Sequence, residues 1–217
     1  DLYKRFKDPT FEYGVTLAKT AGRATLRLAN ANVLPFDFKG FHKTVDGYVK
    51  EVTSLIDNMR ESTEVENQMI AENRYKLASD PKKTFIQPKA KDPVPYLDFS
   101  KLLNAVARLE KSADTYAELV KMNPNPNTNL AKLNKLLYTA EQNLTVAEGL
   151  PRRPWFQHTI YAPGFYTGYG VKTLPGIREG IEQRSWKEAQ QQIEIVANNL
   201  MKYSQQIDEA ASILKMK

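Results

Sequence analysis

Cysteine is absent from all 217 residues. Disulfides, thiol nucleophiles and cysteine-based zinc sites are therefore excluded. Histidine is almost absent too. Only His42 and His158 occur, and neither stands in a helical HExxH or any comparable metal-ligand spacing. A glycine-rich phosphate loop and a GxSxG elbow are missing. No run of 18 apolar residues exists, so no segment is expected to insert in a membrane. No signal-peptide pattern opens the chain, and it starts at Asp1-Leu2-Tyr3 without an initiator Met, as a trimmed piece of a longer protein would. The net charge is only +6. Lys and Arg read as mixed with Asp and Glu throughout rather than gathered on one stripe, so no nucleic-acid partner is expected.

What is present is helical periodicity. An Ala- and Leu-rich segment over 10–33 reads as a first helix, interrupted at Gly22 and ended by Pro35. Asp37 is placed to cap a second helix over 38–77. Phe41, Val45, Tyr48, Val52, Leu55 and Met59 form its apolar stripe. The stretch 78–97, with four prolines, excludes helix and reads as a surface crossover that need not be ordered. A third helix follows Asp98, with Phe99, Leu102, Val106, Leu109, Ala113, Tyr116 and Val120 on one face. Residues 123–128 break it. A fourth helix over 130–147 carries Leu130, Leu133, Leu137, Ala140, Leu144 and Ala147. The short loop between them predicts antiparallel neighbours.

The last helix, from Ser185, is the most regular. Trp186, Ile193, Leu200, Ile207 and Leu214 fall seven apart, with Ala189, Val196, Tyr203 and Ala210 between them. The fold class expected is all-α: an up-and-down bundle of four-helix type with one long irregular Pro/Gly/aromatic loop. The inward positions are apolar, which excludes a di-metal carboxylate site of the kind bundles can build. The sequon Asn143-Leu144-Thr145 falls inside the fourth predicted helix and reads as a chance match.

The segment with a functional look is GLPRRPWFQHTIYAPGFYTGYGVKTLPGI, residues 149–177. Long loops on a rigid scaffold commonly carry function. Arg152, Arg153, His158, Tyr161, Tyr166, Tyr169 and Lys172 offer donors suited to a carboxylate. On composition alone, an aromatic plug packed on the bundle is the favoured reading of the segment.

GLPRRPWFQHTIYAP followed by Tyr-Gly and LPGI resembles the C-terminal part of the glutamate carboxypeptidase II and transferrin-receptor-like family. So do Asp8-Pro9-x-Phe11, and Leu28-Ala29-Asn30 followed by Val33-Leu34-Pro35-Phe36-Asp37. The resemblance covers nearly the whole chain and is least clear over 60–97. It implies that residues 1–35 are the last helical segment of a protease-like domain and that 36–217 are a helical dimerisation domain. The parent implied is a homodimeric type II membrane protein whose ectodomain lies outside the cell or in a vacuolar or endosomal lumen. Active members hold two zinc ions on ligands upstream of this region. The resemblance therefore implies no catalytic residue, no metal ligand and no cofactor in this chain, and no peptidase activity for it alone. In the family, the loop reads the substrate's terminal glutamate through a Lys-Tyr pair. The matching positions are Gly168 and Tyr169, with Tyr161 in the same loop, so the tyrosine is kept and the lysine is absent. Two other readings stand beside this one: a non-catalytic receptor or vacuolar-sorting protein of the same family, and a basic helical adaptor.

Overall fold

In the computed structural model, residues 2–122, 128–168 and 170–215 are described. The elements are α1 (Leu2–Phe6), α2 (Glu12–Ala29), α3 (Phe38–Ala71), α4 (Arg74–Leu77), α5 (Ser100–Lys121), α6 (Leu130–Thr139), a 3-10 turn (Ala140–Leu144), β1 (Tyr161–Pro163), β2 (Val171–Thr173), α7 (Pro175–Glu182) and α8 (Trp186–Lys215). The architecture is the all-α bundle expected, with one small antiparallel hairpin that periodicity did not reveal.

α8 is the central mast. It lies against α5, α7, α6 and the 3-10 turn, while α3 packs on α5. Its heptad seam goes inside: Ile193, Leu200 and Ile207 are almost wholly buried, as are Ala189, Val196 and Ala210. Opposite them sit Leu102, Leu109 and Ala113 of α5, Leu133 and Leu137 of α6, and Val45, Val49, Val52 and Ile56 of α3, all in one core. Phe38 packs edge-on to Tyr116 and Tyr203 with ring centroids 5.0 and 5.8 Å away. Aromatic pairs prefer this geometry, ring edge to ring face. Burial pushes the Tyr116 phenol up to about 12.

The helix ends follow local chemistry. Asp37 accepts from the Gly40 N–H at 2.9 Å and so caps α3 as expected. Asn129 does the same for α6 through Lys132 at 3.0 Å. Pro175 opens α7, where its missing N–H costs nothing. α7 lies so close to α8 that a Cβ on Gly180 would stand 2.9 Å from the Ala189 backbone.

Four expectations need correction. α2 runs through Gly22 without a break. The second predicted helix stops at Ala71, and 74–77 is a separate turn of helix. The fourth stops at Thr139, since residues 140–144 tighten into the 3-10 turn and Thr145 is extended. α6 finds its near neighbours in α8 and that turn, not in α5. The connecting residues 123–127 lie outside the described residues.

The proline-rich stretch 78–97 is an ordered strap running back along α3. Asn67 holds Lys91 by a reciprocal pair of bonds, 2.7 and 2.9 Å. Arg60 donates to the carbonyls of Val94 and Pro95, and Arg184 donates to that of Asp92. α2 behaves differently. None of its residues is buried, and Leu17, Leu26 and Leu28 are all more than half exposed.

Candidate functional site

The loop is built in two ladders. In the first, Val146 N–H donates to Gln157 O at 3.0 Å, Leu150 N–H to Phe156 O at 2.8 Å, and Thr159 N–H to Leu144 O at 2.9 Å. Gly149 makes its return possible. It sits at φ +69, and a Cβ there would stand 2.0 Å from Pro154 O. In the second, Tyr161 faces Thr173 and Pro163 faces Val171. Gly164 N–H then closes the hairpin on Gly170 O at 3.0 Å. Leu150, Ile160 and Leu174 drop into the interior and hold both ladders to the bundle.

Charge fixes the loop more firmly. Arg153 and Glu179, on the loop and on α7, are buried together. Nη1 donates to Oε1 at 3.1 Å and Nη2 lies 3.0 Å from Oε2. Glu179 Oε1 also accepts the Phe165 N–H at 2.8 Å, so one carboxylate ties the loop's start to its tip. Arg152 grips Glu188 with both Nη atoms, at 2.8 and 3.0 Å. Lys172 pairs with Glu182. These contacts revise the reading of the loop as a set of donors awaiting a carboxylate. Its cations are already matched by carboxylates of α7 and α8, a fact invisible in composition because the partners lie 10 to 36 residues away.

His158 and Tyr161 share Glu141. Tyr161 Oη donates to Glu141 Oε1 at 2.7 Å, and His158 Nε2 lies 3.3 Å from the same oxygen. His158 Nδ1 accepts the N–H groups of Ile160 and Tyr161 at 3.3 and 3.4 Å. The ring thereby pins the start of β1. The bond to Glu141 holds the Tyr161 phenol above its ordinary range. Burial pushes the His158 imidazole below its own, against the pull of Glu141.

The candidate residues therefore separate. Tyr161 is at the base of the hairpin with its hydroxyl turned to the bundle. Gly168 is at the tip, exposed, at φ +58, with nothing within 4 Å of a notional Cβ. Tyr169 lies outside the described residues. What the loop shows to solvent is aromatic and apolar: Trp155, Tyr166 and Val171 are more than two-thirds exposed. Among the described residues, no group of three or more His, Asp or Glu stands where it could hold a metal ion. Asn143 of the sequon is engaged, donating to Gln206 at 2.6 Å and to the Ala140 carbonyl at 3.1 Å.

A bundle organised on one C-terminal mast, with a braced aromatic loop at its side, is a packing module. Residues 97–208 match the transferrin receptor-like dimerisation domain, just over half of the chain, and the chain belongs to that family. It is 25% identical to the probable glutamate carboxypeptidase LAMP1 of Arabidopsis thaliana, over 98% of this chain and 26% of that protein. With the probable glutamate carboxypeptidase of Arthroderma benhamiae it shares 26% identity, over 89% of this chain and 22% of the relative. With the aminopeptidase NAALADL1 of Mus musculus it shares 22%, over 92% and 24%. The chain spans about a quarter of the length of these curated relatives.

Proposed function

We propose that this chain is the dimerisation part of a glutamate carboxypeptidase-like zinc peptidase, and that its loop 150–173 completes substrate recognition in the neighbouring active site. The partner is a second copy of the same chain, paired through residues 36–217. Residues 1–35 belong with the preceding protease-like domain. The exposed apolar side of α2 supports that division, because contiguous apolar surface of this kind normally has a cover. The parent is an ectodomain of a type II membrane protein, and zinc would be held entirely by its protease-like part.

The observation that carries the loop's role is its bracing. Arg153, Glu179 and the Phe165 amide fix a tip that places Gly168 in the open. A recognition element works best when held in place before the substrate arrives. Its function is to position and read a substrate end, and no step of the chemistry is assigned to it.

The test uses the full-length protein and peptides ending in glutamate. Gly168→Lys restores the lysine that the family's Lys-Tyr pair has, at some backbone strain from the positive φ. Tyr169→Phe removes the hydroxyl. KM for glutamate-terminated peptides should fall in the first and rise in the second, with kcat changed less. Unchanged KM in both would remove the loop from substrate recognition. No turnover with any peptide, in a protein that is dimeric by light scattering, favours the second reading, a non-catalytic receptor of the same family. The glycine at 168 is the observation on its side.

A further inference from the structure

His158 stands at the joint between the loop's two ladders. Just downstream, Thr159 is tied to the Leu144 carbonyl through both its N–H, at 2.9 Å, and its hydroxyl, at 2.8 Å. The hairpin then begins with the Leu174 N–H donating to the Ile160 carbonyl at 2.7 Å. Bonded and unbonded positions alternate along an antiparallel ladder. The N–H of Tyr161, opposite Thr173, therefore faces away from β2 and needs an acceptor elsewhere. His158 Nδ1 supplies it, and takes the Ile160 N–H as well.

An imidazole nitrogen accepts only while it carries no proton. In this pose the neutral ring therefore has its proton on Nε2. That atom is buried without a hydrogen-bond partner among the described residues, 3.3 Å from Glu141 Oε1 but out of line with it. The neutral ring commits its acceptor to the backbone and leaves its donor idle. Protonation reverses the balance. Nδ1 becomes a donor facing two backbone donors, so neither bond survives. The new positive charge is drawn to Glu141, and lining up an N–H with that carboxylate requires the ring to turn. Glu141 is the one charged group that acts on the ring among the described residues. Two tyrosines stand with it. Tyr161 of β1 donates to the same oxygen, and Tyr203 of α8 is held above its ordinary range by burial and then by Glu141. Phenols do not titrate in acid, so the response falls to His158 and Glu141. Glu141 is 56% exposed, which opens a route for the proton.

We propose that His158 is an acid-released latch on loop 150–173. Neutral, it clamps the backbone at the start of β1. Protonated, it turns to Glu141 and frees the two N–H groups, and the hairpin loses its fixed base. Glu179 keeps its hold on the Phe165 amide, and Leu150 and Leu174 stay inside. The change is thus a local slackening, and the bundle remains folded. Burial holds the imidazole below its ordinary range, so the latch is shut at neutral pH and opens as pH falls below that range. Where the loop reads a substrate end, acid weakens that reading. This last step rests on the function proposed above; the latch itself does not.

The experiment is hydrogen exchange on the full-length protein between about pH 7 and 5, with each rate divided by that of an unstructured chain at the same pH. Protection of the Ile160 and Tyr161 amides should fall by roughly tenfold, the loss that about one net hydrogen bond represents. The amides of Leu200 and Ile207 in α8 should keep theirs. In His158→Asn, Oδ1 takes the place of Nδ1 as acceptor and does not titrate, so the hairpin should stay protected throughout. Glu141→Gln removes the charge that draws the imidazolium and should move the opening to lower pH. KM for peptides ending in glutamate, measured over the same range, should rise in acid more in the parent than in His158→Asn. Parent and His158→Asn opening alike overturns the proposal. So does an unchanged midpoint in Glu141→Gln, or loss of the α8 amides together with the hairpin. Opening confined to the parent, with the same KM profile in both proteins, supports the latch and overturns the loop's part in substrate reading.

Discussion

Arg153 and Glu179 face each other two-pronged inside the fold, their side chains 5% and 3% exposed. The pair joins the loop to α7, and Glu179 alone reaches the tip through the Phe165 amide. Charges this deep persist only when paired, because removing one partner strands the other without water.

Glu179→Ala should therefore destabilise the protein by about 3–5 kcal/mol, the usual cost of breaking a buried pair from one side. Arg153→Met with Glu179→Leu in one protein should cost much less than the single variants Arg153→Met and Glu179→Leu added together. Urea unfolding of these three variants and the parent measures this. Limited proteolysis should cut between 150 and 170 in Glu179→Ala and spare the parent. Additive losses would mean that the two side chains are not coupled.

Acid should loosen the base of the hairpin. Burial holds the His158 pKa below its usual 6.5, with Glu141 opposing. The sign follows from proton counting. Between the folded and unfolded values the unfolded chain binds more protons, so stability is complete above the ordinary value and is lost as pH falls below it. The urea midpoint should drop more steeply between pH 7 and about 5.5 in the parent than in His158→Gln. Parallel pH profiles would show that His158 does not report on folding.

Leu200→Asp should cost on the order of 4 kcal/mol or prevent folding, because Leu200 is fully buried and the new carboxylate would have no partner. Gln191→Asp, on the exposed side of the same helix, should change stability by no more than about 0.5 kcal/mol. Similar melting temperatures for the two would undo the assignment of the α8 seam.

Two glycines should respond oppositely to alanine. At Gly180 the added Cβ meets the Ala189 backbone at 2.9 Å, which cannot yield cheaply, and a loss of about 1–3 kcal/mol is expected from overpacking. At Gly22, inside α2, nothing lies within 4 Å. Alanine there should stabilise the helix by about 1 kcal/mol. Thermal melts of both variants are the measurement, and α2 helicity at Gly22→Ala is read by circular dichroism.

The bundle was legible where burial and period agree. Ile193, Leu200 and Ile207 had to lie on one side of a helix whatever its partner, and Leu102, Leu109 and Ala113 likewise. The end of the fourth helix was not legible. Leu137, Ala140 and Leu144 keep the three-four spacing through the 3-10 turn, so the pattern does not distinguish the two helix types. What tightens the turn is tertiary: Asn143 bonds to Gln206, 63 residues on. The hairpin escaped notice because its strands are three residues each, too short for any alternation to register. In the loop, composition disclosed the donors but not their distant acceptors. Gly168 was placed by resemblance alone; the structure adds its exposure and its positive φ.

α8 comes after every helix that packs on it in the sequence. The ribosome releases α8 only after every helix that leans on it has already emerged. Until then the apolar faces of Leu102, Leu109, Leu133 and Leu137 have nothing to close against, and the nascent chain must be kept from sticking to its neighbours. A premature stop within 186–215 would thus yield no smaller version of the domain, only a sticky intermediate for chaperones and proteases to clear.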